Sequence, residues 1–313
     1  MAGPDPRVHV DLACLAGLEA RAAGFDFLPR QPVGSALAGR RASRLRGRGL
    51  AFEELRAYLP GDDVRAIDWK VTARTGSAHV RVTREERDRP ALIVVDQRQA
   101  MFFGTVLNMK SVTAAEIAAF AAWRILGAGD RVGGLVLSDT GVASVPARRS
   151  RGAALRLLDL VADRNRALSA EAPAVPDAPA RLDAALARAA ALVTHDWLVL
   201  VVSDFDGAGE ATLRTLTGIA RGNDVVLAIV HDPSAHEIPD KGRMVVGDGR
   251  LQVELDLADA RARRNLASVG GERIARLVAW QSRLDAAILP VSAGEPTLPQ
   301  LRRLFGAPPR RRG

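Results

Sequence analysis

Two aspartates stand where an α/β fold does its chemistry. Asp96 ends the apolar run Ala91–Asp96, and Asp204 follows the apolar run Trp197–Ser203 within Ser203-Asp204-Phe205-Asp206. Both runs read as central strands, and in open α/β sheets the working crevice lies beyond the carboxyl ends of the strands. Two carboxylates converging there could share a divalent cation, although magnesium asks for a near-octahedral set of oxygens, often completed by water. Other chemistries find no constellation. His9, His79, His195, His231 and His236 are scattered, without cysteine-supported zinc spacing. Gly127-Ala128-Gly129 lacks the helix that a dinucleotide loop needs, and no Walker-type string occurs. Ser138 and Ser203 lack the G-x-S-x-G setting of a nucleophile. No catalytic residue is assigned, and the sequence reads as a non-enzyme.

The elements that must position these aspartates follow from periodicity. From Ala91 onward, strands alternate with helices: strand 91–96, helix 111–126, strand 131–138 with an antiparallel hairpin partner at 140–146, and two helices separated by the Ala/Pro-rich stretch 167–180. Strand 197–203, helix 210–220 and strand 225–230 come next. A hairpin turning at Gly247-Asp248-Gly249, a long helix over 258–284 interrupted near Gly270-Gly271, strand 287–291 and helix 298–305 complete the chain. This order predicts a doubly wound, mostly parallel sheet with helices on both faces. Ahead of it, residues 11–27 read as a short amphipathic helix and 34–49 as an irregular Gly/Arg-rich arm. Residues 52–59 and 78–83 read as short strands flanking a Pro60-Gly61-Asp62 turn. The expected division is an N-terminal helix and small β-containing arm over 1–89, and an α/β domain over 90–313.

Composition bounds the setting. The chain has 313 residues, a formal charge of +8 and an apolar fraction of 48%. Lysine occurs only at Lys70, Lys110 and Lys241. Acid-free arginine clusters at 30–48 and 310–312 fit either an anionic partner or a solvated surface. No run approaches the ~18–20 apolar residues of a membrane span, and residues 1–12 carry no signal-peptide pattern. The single Cys14 reads as a small core position. The expected localisation is cytoplasmic.

The most distinctive stretch is 52–90. It holds the chain's one tyrosine, Tyr58, and one of its four tryptophans, Trp69, among Arg56, Gly61, Asp62, Asp63, Arg65, Asp68, Lys70 and Arg74. The segments Gly49–Tyr58, Pro60–Lys70, Ala73–Gly76 and Glu85–Pro90, followed by a strand-end Asp, closely resemble the domain-of-unknown-function 58 family. The likeness extends through Asp130-Arg131-Val132-Gly133 and Ser203-Asp204. It implies a sheet of von Willebrand factor A type. It also implies a partnership with MoxR-type AAA+ ATPases and with other von Willebrand A-type proteins, in the short form without membrane helices.

The resemblance implies a metal motif, D-x-S-x-S, after the first strand. Here it reads Asp96-Gln97-Arg98-Gln99-Ala100, with both hydroxyl positions lost. Asp204 matches the third-loop carboxylate. The second-loop region, taken as 147–152, offers Ser150 among Arg148, Arg149 and Arg151. A guanidinium cannot ligate a cation, so no cofactor is expected, with magnesium on Asp96 and Asp204 as the alternative. Charge balance gives a sharper expectation: Arg98 replaces the metal by pairing with Asp96, Asp204 or both. For the signature stretch two readings stand. In one, Asp62, Asp63, Arg65 and Asp68 form an ion-pair network with Tyr58 and Trp69 as packing anchors. In the other, Asp62–Arg74 together with Arg98 is a recognition surface for the ATPase or another A-type domain. A basic nucleic-acid-binding protein is a further alternative, and the short aromatic list argues against single-strand stacking.

Overall fold

The computed structural model describes residues 5–22, 50–59, 62–85, 88–172, 178–235, 243–247, 252–256, 277, 279–280, 283–284 and 286–305. The arginine-rich stretch 30–48, the tail 310–312, the turn residues Pro60 and Gly61, and most of the long helix expected over 258–284 lie outside them. The chain divides into two compact units, residues 1–29 with 89–313, and residues 30–88. The N-terminal helix, grouped with the arm by the sequence reading, thus belongs with the α/β unit.

The α/β unit is built on strands β3 (Pro90–Asp96), β4 (Arg131–Ser138), β5 (Gly141–Arg148), β6 (Leu198–Ser203), β7 (Asp224–His231) and β10 (Ala286–Ser292). They form one six-stranded sheet in the order β10-β7-β6-β3-β4-β5, parallel except for β5, which returns antiparallel beside β4. Counted from β3, this is the 3-2-1-4-5-6 order of a doubly wound fold, whose topological switch point lies between β3 and β6. The β3 residues Ala91–Asp96 are buried on both faces, as a central parallel strand requires. Ala91, Ile93 and Val95 join one core, and Leu92 and Val94 the other.

The first face carries α1 (Leu12–Gly17), α3 (Lys110–Gly127), α4 (Arg151–Arg166) and α7 (Thr297–Phe305), and the second carries α5 (Ala178–Leu192) and α6 (Glu210–Ala220). Leu277, Trp280 and Leu284 are buried in that second core. Helix α3 is buried almost all round because Ala114, Ala115, Ala118, Ala119, Ala121 and Ala122 let its neighbours approach closely. One of those neighbours is α1: Leu15 is fully buried, and its carbonyl accepts from Trp123 Nε1 at 3.0 Å. This contact is the physical reason the N-terminal helix sides with the sheet. Cys14, expected in the core, is exposed. A separate hairpin pairs β8 (Arg243–Gly247) with β9 (Gln252–Asp256). Among the described residues no helix is long and apolar enough to cross a membrane.

The amino edge of the sheet is pinned by Arg89. Its backbone N–H donates to Asp130 at 2.7 Å, and its guanidinium reaches the carbonyls of Asp196 and Trp197 at 3.0 Å and the Asp224 carboxylate at 2.7 Å. One residue, through backbone and side chain together, thereby links the starts of β3, β4, β6 and β7. Close packing at β4 is equally specific. A Cβ on Gly133 would lie 2.5 Å from the Ala147 backbone nitrogen, and one on Gly134 2.5 Å from Leu157 Cδ1 and 2.7 Å from the Ile93 carbonyl. Gly133→Ala should therefore cost about 1–3 kcal/mol through overpacking against backbone. Gly127→Ala, with nothing within 4 Å of the added carbon, should be neutral or gain up to ~1 kcal/mol. Urea midpoints of the two variants measure the contrast.

Candidate functional site

The carboxyl edge presents an aspartate after each of four adjacent parallel strands: Asp232 after β7, Asp204 after β6, Asp96 at the end of β3 and Asp139 after β4. Each is held by the protein itself. Arg98 is fully buried and lies side-on to Asp96, with Nε at 3.0 and 3.2 Å from the two carboxylate oxygens and Nη2 at 2.7 Å. The Arg98 backbone N–H and the Ser203 hydroxyl also donate to Asp96, at 3.0 and 2.6 Å. The far end of the guanidinium reaches the Asp206 carbonyl at 3.4 Å. Burial alone would push the Arg98 guanidinium down, but Asp96 above all, with the charges of Asp204 and Asp206, holds it above the ordinary arginine value.

Asp204 pairs with a residue that sequence reasoning passed over. Lys110, the first residue of α3, places Nζ 2.5 Å from Asp204 Oδ2 and lies over the Phe103 ring at 5.9 Å. The two pairs occupy the switch point between β3 and β6, where the resemblance places a cation. Their geometry does not fit one: a guanidinium covers Asp96 and an ammonium covers Asp204. Among the described residues no group of three or more His, Cys, Asp or Glu side chains is placed to hold a metal ion.

The other two aspartates fasten loops. Asp139 accepts from the Gln99 backbone N–H at 2.5 Å. Asp232 accepts from the Thr105 backbone N–H and hydroxyl at 2.8 and 2.7 Å and from the Ser234 N–H at 2.9 Å. Burial would raise the Asp232 pKa, but the hydrogen bonds from Ser234 and Thr105 outweigh it and hold the carboxyl below its ordinary 3.8. Beneath these loops Gln97 donates to the Ser111 carbonyl at 2.9 Å and accepts from Asn165 at 3.1 Å. Asn165 in turn accepts from the Val10 N–H at 2.8 Å. The Arg7 carbonyl takes the Met109 N–H at 2.9 Å, and His9 stacks on Phe102 with centroids 5.4 Å apart. The start of the chain thus straps the edge.

The second-loop assignment is corrected. Strand β5 runs antiparallel, so Arg148 pairs with Val132 near the amino ends of the parallel strands, the edge opposite Asp96. Ser150 caps α4 there, accepting from the Ala153 N–H at 3.2 Å. The segment after α4 is the one that reaches the carboxyl edge, where the Ser169 carbonyl accepts from Gln99 Nε2 at 2.7 Å. Arg98, expected to share a recognition surface with Asp62–Arg74, is fully buried and presents nothing to a partner.

The signature segment forms its own small unit. Strand β1 (Leu50–Ala57) pairs antiparallel with β2 (His79–Glu85), in register Ala57 to His79, and helix α2 (Trp69–Thr75) lies between them in sequence. Three of its described carboxylates serve local folding. Asp62 forms a bidentate pair with Arg56 at 2.7 and 2.8 Å and accepts from the Leu59 N–H. Asp63 accepts from the Arg65 N–H, and Asp68 caps α2 by accepting from Lys70 and Val71. Gly76 ends α2 at φ +75°, a left-handed position that glycine takes without strain. Tyr58 is half-buried, but Trp69, expected as a packing anchor, is 68% exposed. Arg74 is exposed as well.

Known proteins resemble the chain as follows. Residues 54–275 match the model of a family described as "Protein of unknown function DUF58". Uncharacterized proteins of Mycobacterium bovis and Mycobacterium tuberculosis are 31% identical over 233 residues, covering 73% of this chain and 70% of theirs. A solved structure of an aerotolerance-related membrane protein from Bacteroides fragilis, bearing multiple mutations to serines, aligns with a TM-score of 0.38 at 13% identity, over 69% of this chain and 96% of that one. A likeness that weak bears on neither fold nor function.

Two outcomes test the site. Arg98→Met strands a buried carboxylate and should cost about 3–5 kcal/mol, part of it recovered by adding Asp96→Leu; denaturant unfolding of both variants reads this. The depressed pKa of Asp232 contributes stability that is present above about pH 4 and lost as pH falls through its folded value. Asp232→Asn should therefore melt lower at pH 7 and show a weaker decline towards pH 3.

Proposed function

The chain belongs to the DUF58 family of proteins of unknown function, and from that premise we propose a non-enzymatic interaction protein that works without a bound cation. One observation carries this reading. The ionisable groups at the switch point, Asp96, Arg98, Lys110 and Asp204, are spent on one another in two buried pairs. A group that is to abstract a proton, attack a substrate or ligate a metal must be able to reach it, and these four are turned inward. The edge acts instead as a rigid mount for the loops above it, in the manner of a von Willebrand A-type module whose ion has been replaced by side chains.

The partner that the family resemblance implies is a MoxR-type AAA+ ATPase, acting with this chain in a chaperone-like or assembly system. The rim gives such a partner apolar surface to hold. Phe103 and Val106, in the loop between β3 and α3, are 36% and 67% exposed, and singly exposed apolar groups of this kind serve as contact points when a partner covers them. Co-purification of the full chain with a MoxR-type ATPase encoded beside it, with and without ATP and with and without EDTA, tests the reading. Retention that survives chelation of all metal not needed for ATP binding is the expected result. Retention abolished by EDTA in the nucleotide-free state, or no retention in any state, contradicts it.

A further inference from the structure

Asp62, Asp63 and Asp68 of the signature unit turn to its own backbone or to Arg56, and the exposed face of α2 carries apolar and basic side chains. On α2, Val71 and Thr72 are half-buried, and the Thr72 hydroxyl accepts from the His79 N–H at 3.1 Å. Thr75 at the helix end is exposed, and so, on the side away from Val71 and Thr72, are Trp69, Lys70, Ala73 and Arg74. At 3.6 residues per turn Trp69, Lys70, Ala73 and Arg74 make one continuous stripe. The short helical turn just before α2, Val64–Ala66, adds exposed Val64 and Arg65. Trp69 is 68% and Val64 60% exposed. Among the described residues, Arg65, Lys70 and Arg74 have no ion-pair partner. An indole left in water forgoes a large hydrophobic gain, and tryptophan beside arginine is the composition of an interface centre.

We propose that this stripe docks an acidic protein surface, one presenting Asp or Glu side chains around a socket for the Trp69 indole. The charges select the occupant. Arg65, Lys70 and Arg74 flank Trp69 along the chain, and the neighbouring Asp62, Asp63 and Asp68 are each engaged within the segment, by Arg56 or by backbone N–H groups. A second copy of the chain, at +8 overall, is repelled from such a face. A single-stranded nucleic acid would want successive aromatic platforms, whereas here one indole sits with the aliphatic Val64. The inference rests on the interaction-protein reading above, but not on the identity of the ATPase.

The test is to pan a random-peptide phage library against the immobilised full-length chain, then measure enriched peptides and a single-stranded oligonucleotide against variants. Enriched peptides should combine Asp or Glu with a large apolar residue and weaken with rising salt. Binding should fall about 30-fold with Trp69→Ala and about tenfold with Arg74→Glu, and stay unchanged with Arg156→Glu on the exposed side of α4. Melting temperatures of the three variants should match the wild type. Peptides without acidic character, or binding indifferent to Trp69 and Arg74, overturn the proposal. So does a lowered melting temperature for Trp69→Ala, which would make the indole a packing group, or oligonucleotide binding lost in the same two variants. ATPase captured equally by wild type and Trp69→Ala leaves the functional reading intact and overturns this face. Acidic peptides held at Trp69 with no ATPase captured supports the face and overturns that choice of partner.

Discussion

Carboxylates taken out of water at the switch point must be neutralised, and the rest of the carboxyl edge follows from how this chain does it. Desolvating an ion costs several kcal/mol even after the protein relaxes, so Asp96 and Asp204 each need a cation or a dense set of donors. Arg98 and Lys110 supply the cations from inside the fold. Lys110 shows how strong the demand is. A cation at the first position of a helix opposes the helix dipole, and the 2.5 Å contact with Asp204 offsets that cost. The pairs also have mechanical effect, since Arg98 draws down the loop after β3 and Lys110 moors the start of α3 to the end of β6.

Around that centre the edge is closed by further hydrogen bonds, to carboxylates and to amides. Asp139 and Asp232 hold backbone amides of the loop between β3 and α3, and Gln97 and Asn165 link that loop to α4. The N-terminal segment then crosses it through Arg7, His9 and Val10. Removing one partner from such a connected set costs more than its single bond, because the group left behind stays buried and unpaired. The edge is therefore built as one connected object.

Much of this was legible beforehand. The alternation of apolar runs with helical periodicity predicts the sheet and its helices, and the antiparallel return of 141–148 is visible as a hairpin. Asp96 and Asp204 announce themselves by standing at strand ends, and charge balance points from Asp96 to Arg98, which the structure places on it. Lys110 was hidden because nothing in sequence distance links it to Asp204, 94 positions away. Two weaker signals existed: it is one of three lysines in an arginine-rich chain, and it opens the most apolar helix. The second loop was misplaced because a hairpin reverses direction, so a loop after β5 emerges at the opposite edge. Trp69 misled for a different reason. An aromatic among charges reads as an anchor, but its placement at the exposed start of α2 depends on the Asp68 cap and on which helix face meets β2.

The account's central claim is that side chains, and not an ion, neutralise the switch point. Calorimetric titration of magnesium and of manganese into the full-length chain tests it most directly. With Arg98 on Asp96 and Lys110 on Asp204, neither metal should give saturable heat. Stoichiometric binding that disappears in Asp96→Ala would contradict the account, because it would mean that the carboxylates remain open to a cation.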